Sequence, residues 1–359
     1  MMKKVAIVGT QGVPACYGGF ETLVENIIGE NCSPNVKYTV FCSSKDLSKS
    51  NHPSSYKGVN LKYVPLHANG MQSILYDIIS LIRVMFGYDY VVVLGVSGCL
   101  FLPIFRLFYR KKLIINIDGL EHKRDKWGKF ARWILKTSEK MAVRFADTVI
   151  ADNKGIQDYV RDTYAKASTL IAYGGDHVKN DIPEATQKKV LEKYDLTKNN
   201  YAITVCRIEP ENNCHLTLEA FAQSNKKLIF IGNWNHSEYG KSLKEKYSDR
   251  YNIKMLDAIY DLDILYSLRR NAGMYIHGHS AGGTNPSLVE AMFFGIPILC
   301  FDVVYNRETT KNKAYYWLTV NSLKSLITLD NLNGKMMLEI ARKEYTWKRI
   351  ASQYEALYQ

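Results

Sequence analysis

The feature that most constrains the fold is a pattern that occurs twice along the chain. Short, continuous, β-branched apolar runs alternate with stretches of helical periodicity. In the first half the runs are Val5–Gly9, Tyr38–Ser43, Leu61–Leu66, Tyr90–Gly95, Lys112–Asp118 and Thr148–Asn153. Runs of this length without polar alternation predict strands of a parallel sheet buried on both faces. Helical patterns lie between them, for example Phe20–Glu30 and Gln72–Phe86. In the second half Tyr201–Arg207, Lys227–Gly232, Asn252–Leu256, Gly273–Gly278 and Pro297–Asp302 repeat the theme. At 359 residues the chain exceeds what one core holds. The pattern therefore predicts an α/β protein of two tandem doubly wound, Rossmann-like domains, over 1–176 and 177–340. The break falls in the Gly-, Asp- and Pro-containing stretch Tyr173–Ala185. Residues 341–359 end in an amphipathic helix, with Trp347, Ile350, Tyr354 and Leu357 at helical spacing, expected to pack back on the first domain. Two such domains in tandem predict a cleft between the carboxyl ends of two sheets, where ligands bind.

Several classes drop out. The apolar opening run is too short for a signal peptide and stops at glycines, so it reads as a first buried strand. The most lipid-like segment, Val96–Tyr109, contains Pro103 and Arg106 and falls short of the ~20 residues of a span. A cytoplasmic protein, peripheral on the inner face of the plasma membrane, is expected. Seven cysteines, an odd number with no CxxC pair, read as free thiols in a reducing compartment. The net charge of +12 calls for an anionic partner. No groove-reading basic helix, zinc-finger spacing or aromatic RNA-binding motif accompanies it, so nucleic acid is disfavoured. Anionic lipid and a nucleotide diphosphate remain.

The stretch GHSAGGTNPSLVEAMFFGIPIL, Gly278–Leu299, carries the chemistry most directly. A strand leads into a glycine-rich turn, and a helix begins with Pro286 in its first turn. Glycines let a backbone approach a ligand closely, and free N–H groups at a helix start favour a diphosphate. The donor grip is therefore read as the backbone of Gly283, Thr284, Asn285, Ser287 and Leu288, with His279 beside the phosphates. Glu290 can accept from two vicinal ribose hydroxyls; read alone, it is equally a surface acid near a helix N-terminus.

Arg207 directly follows a strand of the second domain, at the carboxyl end of its sheet. A guanidinium there neutralises a departing diphosphate; the competing reading is a structural salt bridge. The first loop, GTQGVPACYGGFET, brings Gly12, Tyr17, Gly18 and Gly19 to the start of a helix. It is not the dinucleotide fingerprint, which disfavours a nicotinamide cofactor, and a tight turn without a ligand is its alternative. Asp118, Glu121 and His122 follow a strand of the first domain. Asp118 is favoured as the group that orients an acceptor or steadies charge, against a helix N-cap. His277 and His279 lack further ligands at metal spacing. Asp261 and Asp263 form a DxD pair but open an amphipathic helix, where capping explains them. No metal or other cofactor is expected.

These motifs resemble those of the family-4 retaining glycosyltransferases, which have two facing Rossmann-like domains of the GT-B type. The likeness rests on the Gly-rich first loop, the phrase CRIEPENN, the turn and helix ending in SLVEAM, and the terminal Trp-containing helix. Within the family, IDGLEHKRDKWGKFAR, CRIEPENN, IGNWNHSEYG and HGHSAGGTNPSLVEAM resemble the bacterial rhamnosyltransferases that assemble surface polysaccharides. The resemblance implies dTDP-L-rhamnose as donor and a lipid-linked saccharide as acceptor, with the first loop facing both. Two positions depart from the family pattern. Gly282 stands where a Glu is usual, eight residues before Glu290, and Asn212 stands at the donor site where a Lys is usual. Two rivals remain: a nucleotide-sugar 2-epimerase of the same fold, and a non-catalytic nucleotide-sugar-binding subunit.

From 106 to 144 the chain is strongly basic. Trp127, Phe130 and Trp133 interleave with Lys123, Arg124, Lys126, Lys129, Arg132 and Lys136. The mixture suits the interface of an anionic bilayer; the alternative is a solvated helix face with core aromatics.

Overall fold

The computed structural model describes residues 2–15, 18–30, 33–47, 52–123, 127–178 and 182–359. Tyr17, Arg124 and Lys126 lie outside them. The chain divides into two compact units, Met1–Tyr173 with Trp347–Gln359, and Gly174–Thr346.

The first unit is built on β1 (Lys3–Val8), β2 (Val36–Ser43), β3 (Ser55–Tyr56), β4 (Val59–Val64), β5 (Tyr90–Leu94), β6 (Lys112–Asn116), β7 (Thr148–Ala151) and β8 (Thr169–Leu170). They form one sheet in the order β3-β4-β2-β1-β5-β6-β7-β8. All pairs are parallel except the edge hairpin β3–β4. That hairpin turns on Lys57 and Gly58, both at positive φ (49° and 77°), as a tight two-residue loop requires. The helices are α1 (Gly19–Glu30), α2 (Ser73–Val84), α3 (Leu102–Phe108), α4 (Lys129–Phe145) and α5 (Lys154–Tyr164). The continuous apolar runs end up buried on both faces because helices cover both sides.

The second unit contains α6 (Glu184–Lys193), α7 (Cys214–Ala222), α8 (Glu238–Tyr247), α9 (Leu262–Arg270), α10 (Pro286–Met292), α11 (Val304–Thr309), α12 (Val320–Ile327) and α13 (Lys335–Glu344). Its strands are β9 (Tyr201–Val205), β10 (Lys227–Ile231), β11 (Ile253–Leu256), β12 (Met274–His277), β13 (Ile298–Phe301) and β14 (Tyr315–Trp317), in the order β11-β10-β9-β12-β13-β14, all parallel. This is the Rossmann order, read outward from the first strand in both directions. Both units are thus Rossmann-like. The two- and three-residue strands β3, β8 and β14 are too short to leave a periodic signal and are additions to the sequence reading.

After α13 the chain returns to the first unit as α14 (Trp347–Ala356). Trp347, Ile350, Tyr354 and Tyr358 join the core of that unit. Asn116 at the end of β6 donates to the Tyr354 hydroxyl at 2.9 Å, and the Tyr358 ring meets Tyr38 and Tyr90.

One buried acid in the first unit has a measurable signature. Asp77 of α2 is buried and accepts from the Gly98 N–H at 3.1 Å. Burial pushes its carboxyl up to about 8, against the lowering effect of that hydrogen bond. The folded state therefore holds a proton that the unfolded chain loses near 3.8. Stability falls as pH rises from there through the folded value. Asp77→Asn keeps the acceptor and removes the charge. It is expected to raise stability by about 1 kcal/mol or more at pH 7, a gain that vanishes by pH 4 in denaturant titrations. A gain independent of pH would refute the assignment.

Candidate functional site

In the second unit the connections leave β9 and β12 in opposite directions across the sheet. The loops at the carboxyl ends of these neighbours therefore diverge, and the crevice between them is where ligands bind in such sheets. Two segments line it: 206–213 after β9, and 278–285 after β12.

These loops are stitched together by hydrogen bonds to each other's main-chain carbonyls. Asn213 donates to the Gly278 carbonyl at 2.9 Å. The Ser280 N–H and hydroxyl both reach the Glu211 carbonyl, at 2.9 and 2.8 Å. A Cβ on Gly278 would lie 2.2 Å from the Asn212 carbonyl oxygen, so only glycine permits this approach. From β13–α11, Asn306 donates to the His279 carbonyl at 2.9 Å. The His279 ring stacks on that of His277, centroids 4.4 Å apart. His277 is buried, and burial pushes it down to about 3, so it is neutral at physiological pH.

Arg207 leaves the end of β9 with 41% of its side chain exposed; its nearest carboxylate, Glu209, is 3.6 Å away. A long, partly exposed pair of this kind holds the guanidinium weakly. Asn212 points the other way: it is buried and donates to the Arg207 carbonyl at 2.7 Å. It braces the loop that presents Arg207 and is not displayed to a ligand.

The glycine turn separates into exposed and inward parts. Gly282 has φ of +112°, and nothing lies within 4 Å of where its Cβ would be. The position admits glycine for its backbone conformation, in open space, so a Glu there would require a different turn. Gly283 is partly exposed, whereas Thr284 is buried. Asn285 is the N-cap of α10; its side chain accepts from the Ser287 N–H at 3.0 Å and the Ser287 hydroxyl at 2.8 Å. Leu288 is a core residue, and its N–H reaches the Asn285 carbonyl at 3.1 Å. Of the grip read from sequence, the surface of the turn faces outward, and Thr284 and Leu288 do not.

Glu290 is 15% exposed and is held from two sides. Arg269 of α9 places a guanidinium nitrogen 2.8 Å from one oxygen, and His177 lies 3.5 Å from the other. Burial works to raise this carboxyl, but Arg269 and then His177 outweigh it, and the group stays below its ordinary value. Glu290 is thus a fixed anion. Arg269 was missed in the sequence. The available signal was a cation one turn after Leu265, on the inward side of an amphipathic helix. Gly175 makes the close packing possible, since a Cβ there would lie 3.0 Å from the Glu290 nitrogen.

In the first unit the Gly-rich loop is closed by its own helix. Glu21 accepts from the Gln11 N–H at 2.7 Å and the Thr10 hydroxyl at 2.9 Å, and Glu25 accepts from the Ala15 N–H at 3.1 Å. A Cβ on Gly12 would meet Cys42 at 2.6 Å, and one on Gly18 would meet Glu21 at 1.9 Å. These glycines serve close packing, Gly19 opens α1, and two of the N–H groups that could hold an anion already face carboxylates. Asp118 sits just past β6 at φ +57°, its N–H on Asn116 at 3.0 Å. His122 is drawn to Glu139 of α4 at 2.9 Å. Glu139 also accepts from Tyr159 and Tyr164, and is pushed down to about 2 because His122 first, then these two bonds, outweigh burial. Asp261 caps α9, accepting from Asp263 and Ile264. Among the described residues no group of three or more His, Cys, Asp or Glu is placed to hold a metal ion.

Residues 186–328 match the family described as glycosyl transferases group 1, and residues 2–176 match a domain of unknown function, DUF1972. No curated protein matches the chain. Among solved structures, a sucrose-phosphate synthase from Thermosynechococcus elongatus is 16% identical, with a TM-score of 0.79 over 99% of this chain and 98% of that one. Alr3699/HepE of Anabaena, in complex with UDP and glucose, is 15% identical, with a TM-score of 0.76 over 99% of both chains. The catalytic domain of starch synthase IV from Arabidopsis thaliana, bound to ADP and acarbose, is 10% identical, with a TM-score of 0.74 over 99% and 98%.

Proposed function

We infer, from a second unit that matches the group 1 glycosyl transferases and two Rossmann-like sheets of GT-B type, that this chain is a glycosyltransferase using a nucleotide-diphosphate sugar. The observation that carries the reading is the juxtaposition at the β9–β12 switch point. The loop that carries the exposed Arg207 is hydrogen-bonded to the start of a glycine turn whose α10 bears the fixed anion Glu290. The turn takes the diphosphate, Glu290 accepts from the ribose hydroxyls, and Arg207 balances charge on the departing diphosphate. HepE, of the same fold, was crystallised with UDP and glucose, which supports a nucleotide-sugar donor here.

The bond from the sugar carbon to the diphosphate oxygen breaks as the bond to the acceptor oxygen forms on the same face. The acceptor proton passes to the leaving phosphate oxygen. Configuration is retained without a carboxylate nucleophile, unlike the two-carboxylate glycosidases. The motif resemblance supports dTDP-L-rhamnose as donor and a polyprenyl-diphosphate-linked sugar as acceptor, in assembly of a bacterial surface polysaccharide at the inner membrane face. The Gly282 turn leaves the sugar pocket without the acid usual there, which suits a 6-deoxy sugar.

Thermal unfolding with a panel of nucleotide sugars tests the donor. A donor at one hundred times its Kd stabilises by about 2.7 kcal/mol. dTDP-rhamnose is expected to give the largest shift. Glu290→Gln, which keeps the shape and removes the charge, is expected to weaken binding about 10- to 100-fold. A shift only with UDP- or GDP-sugars would overturn the sugar assignment. Conversion of UDP-N-acetylglucosamine without any acceptor would replace transfer by epimerisation, and binding without turnover across lipid-linked acceptors would replace it by a non-catalytic role.

A further inference from the structure

The exposed side of α2 is apolar apart from Arg83. Inward it buries Tyr76, Asp77, Ser80, Leu81 and Val84. Outward it shows Leu75 and Ile82, followed just past the helix by Phe86, which is 75% exposed. A helix that only covers its own sheet has the opposite distribution. The neighbouring helices continue the pattern. α3 buries Leu102 and Phe105 and exposes Ile104, Leu107 and Phe108. α4 exposes Phe130 and Trp133, whose rings stack at 6.1 Å.

These three helices lie on one side of the sheet. The crossovers β4–β5, β5–β6 and β6–β7 all run in the same direction, and right-handed crossovers then place their helices on the same face. All three pack against the short turn Cys99–Phe101, and Arg106 of α3 donates to the Phe145 carbonyl at the end of α4. The exposed apolar residues therefore form a shared surface, of a kind monomers rarely leave bare.

The exposed charge on these three helices has one sign. α2, α3 and α4 carry two acidic residues, Asp77 and Glu139, and both are buried. Arg83, Arg110, Lys129, Lys140 and Arg144 are exposed. Such a face repels a second copy of itself, because a two-fold contact sets like charges against each other. No helix of the described residues is long and apolar enough to cross a membrane.

We propose that the α2–α3–α4 face of the first unit docks on an anionic phospholipid bilayer. Its apolar side chains enter the boundary between headgroups and acyl chains, and the five exposed cations lie against lipid phosphates. This deepens the reading of a lipid-linked acceptor. It also extends the membrane contact: α2 and Phe86 after it, which lie before the basic segment 106–144, add three exposed apolar side chains to the four of that segment.

The test is co-sedimentation of the full chain with vesicles of phosphatidylcholine alone or mixed equally with phosphatidylglycerol. Binding is expected to the mixed vesicles and to weaken with salt. Leu75→Ser/Ile82→Ser/Phe86→Ser is expected to weaken it about tenfold or more, and Lys140→Glu/Arg144→Glu by a similar factor. Both variants should keep the wild-type thermal midpoint, since the positions are exposed. Failure to bind mixed vesicles, or undiminished binding by the folded triple variant, overturns the proposal. So does a stable dimer in vesicle-free buffer that the triple variant converts to monomer. No sugar donor or acceptor is present, so this result and that of the glycosyl-transfer assay fail separately.

Discussion

Arg207→Ala is expected to lower turnover by about 10²- to 10³-fold, the usual loss when one preorganised charge-stabilising donor is removed. In the proposed reaction negative charge grows on the diphosphate as the sugar departs, and the Arg207 guanidinium stands at the carboxyl end of β9 with Glu209, at 3.6 Å, as its one paired carboxylate among the described residues. The interaction strengthens as the bond breaks, so kcat should fall more than donor affinity. Arg207→Lys should recover part of the loss, because a point charge remains but the planar fork does not. Loop geometry offers a control. Asn212 is tied to the Arg207 main-chain carbonyl, not to the side chain, so Arg207→Ala should leave the thermal midpoint nearly unchanged. Steady-state kinetics with unaltered kcat, or a large loss of stability with proportionate loss of activity, would assign Arg207 to structure instead.

Arg269→Met is expected to destabilise the second unit by about 3 kcal/mol, the lower end for breaking a buried ion pair. The lower end applies because Glu290 keeps 15% exposure and retains His177 at 3.5 Å. Arg269 itself is 3% exposed, so methionine can fill its space. The double variant Arg269→Met/Glu290→Met should recover much of the loss, as replacing both partners by apolar groups removes the stranded charge. pH supplies an independent check. The Glu290 carboxyl is held below its ordinary value of 4.5, so its contribution is present above that pH and is lost as pH falls through the folded value. Without Arg269 the carboxyl protonates more readily, and the gap between wild type and variant should narrow below pH 4.5. A constant gap in denaturant melts would mean that packing, not charge, is what Arg269 contributes. Nucleotide affinity of the single variant should fall as well, because the carboxylate proposed to hold the ribose loses its support.

The layered α/β plan was legible because its signal is local. Tyr90–Gly95 and Lys227–Gly232 read as buried strands from six neighbouring residues, and the pattern survives whatever surrounds it. The glycine turn and Arg207 were legible for the same reason: each follows directly on a strand whose end the chain announces.

The direction of side chains was not legible. Asn212, Thr284 and Leu288 are buried, and the Asn212 side chain is spent on the Arg207 main-chain carbonyl, whose position the fold sets. The first loop read as a ligand turn, yet its glycines make room for Cys42 and for Glu21. Distinguishing a turn that packs from a turn that binds requires knowing what occupies the space, and that is absent from local sequence.

Strand period and turn chemistry in the chain were enough for the class of fold, the existence of two units and the location of the crevice loops, since these follow from forces acting between near neighbours. The pairing of Arg269 with Glu290, the apolar outer face of α2 and the loop braces followed only from the folded structure. Each joins residues, or helices, distant along the chain, and their energy depends on burial and distance, which exist only after the elements have packed.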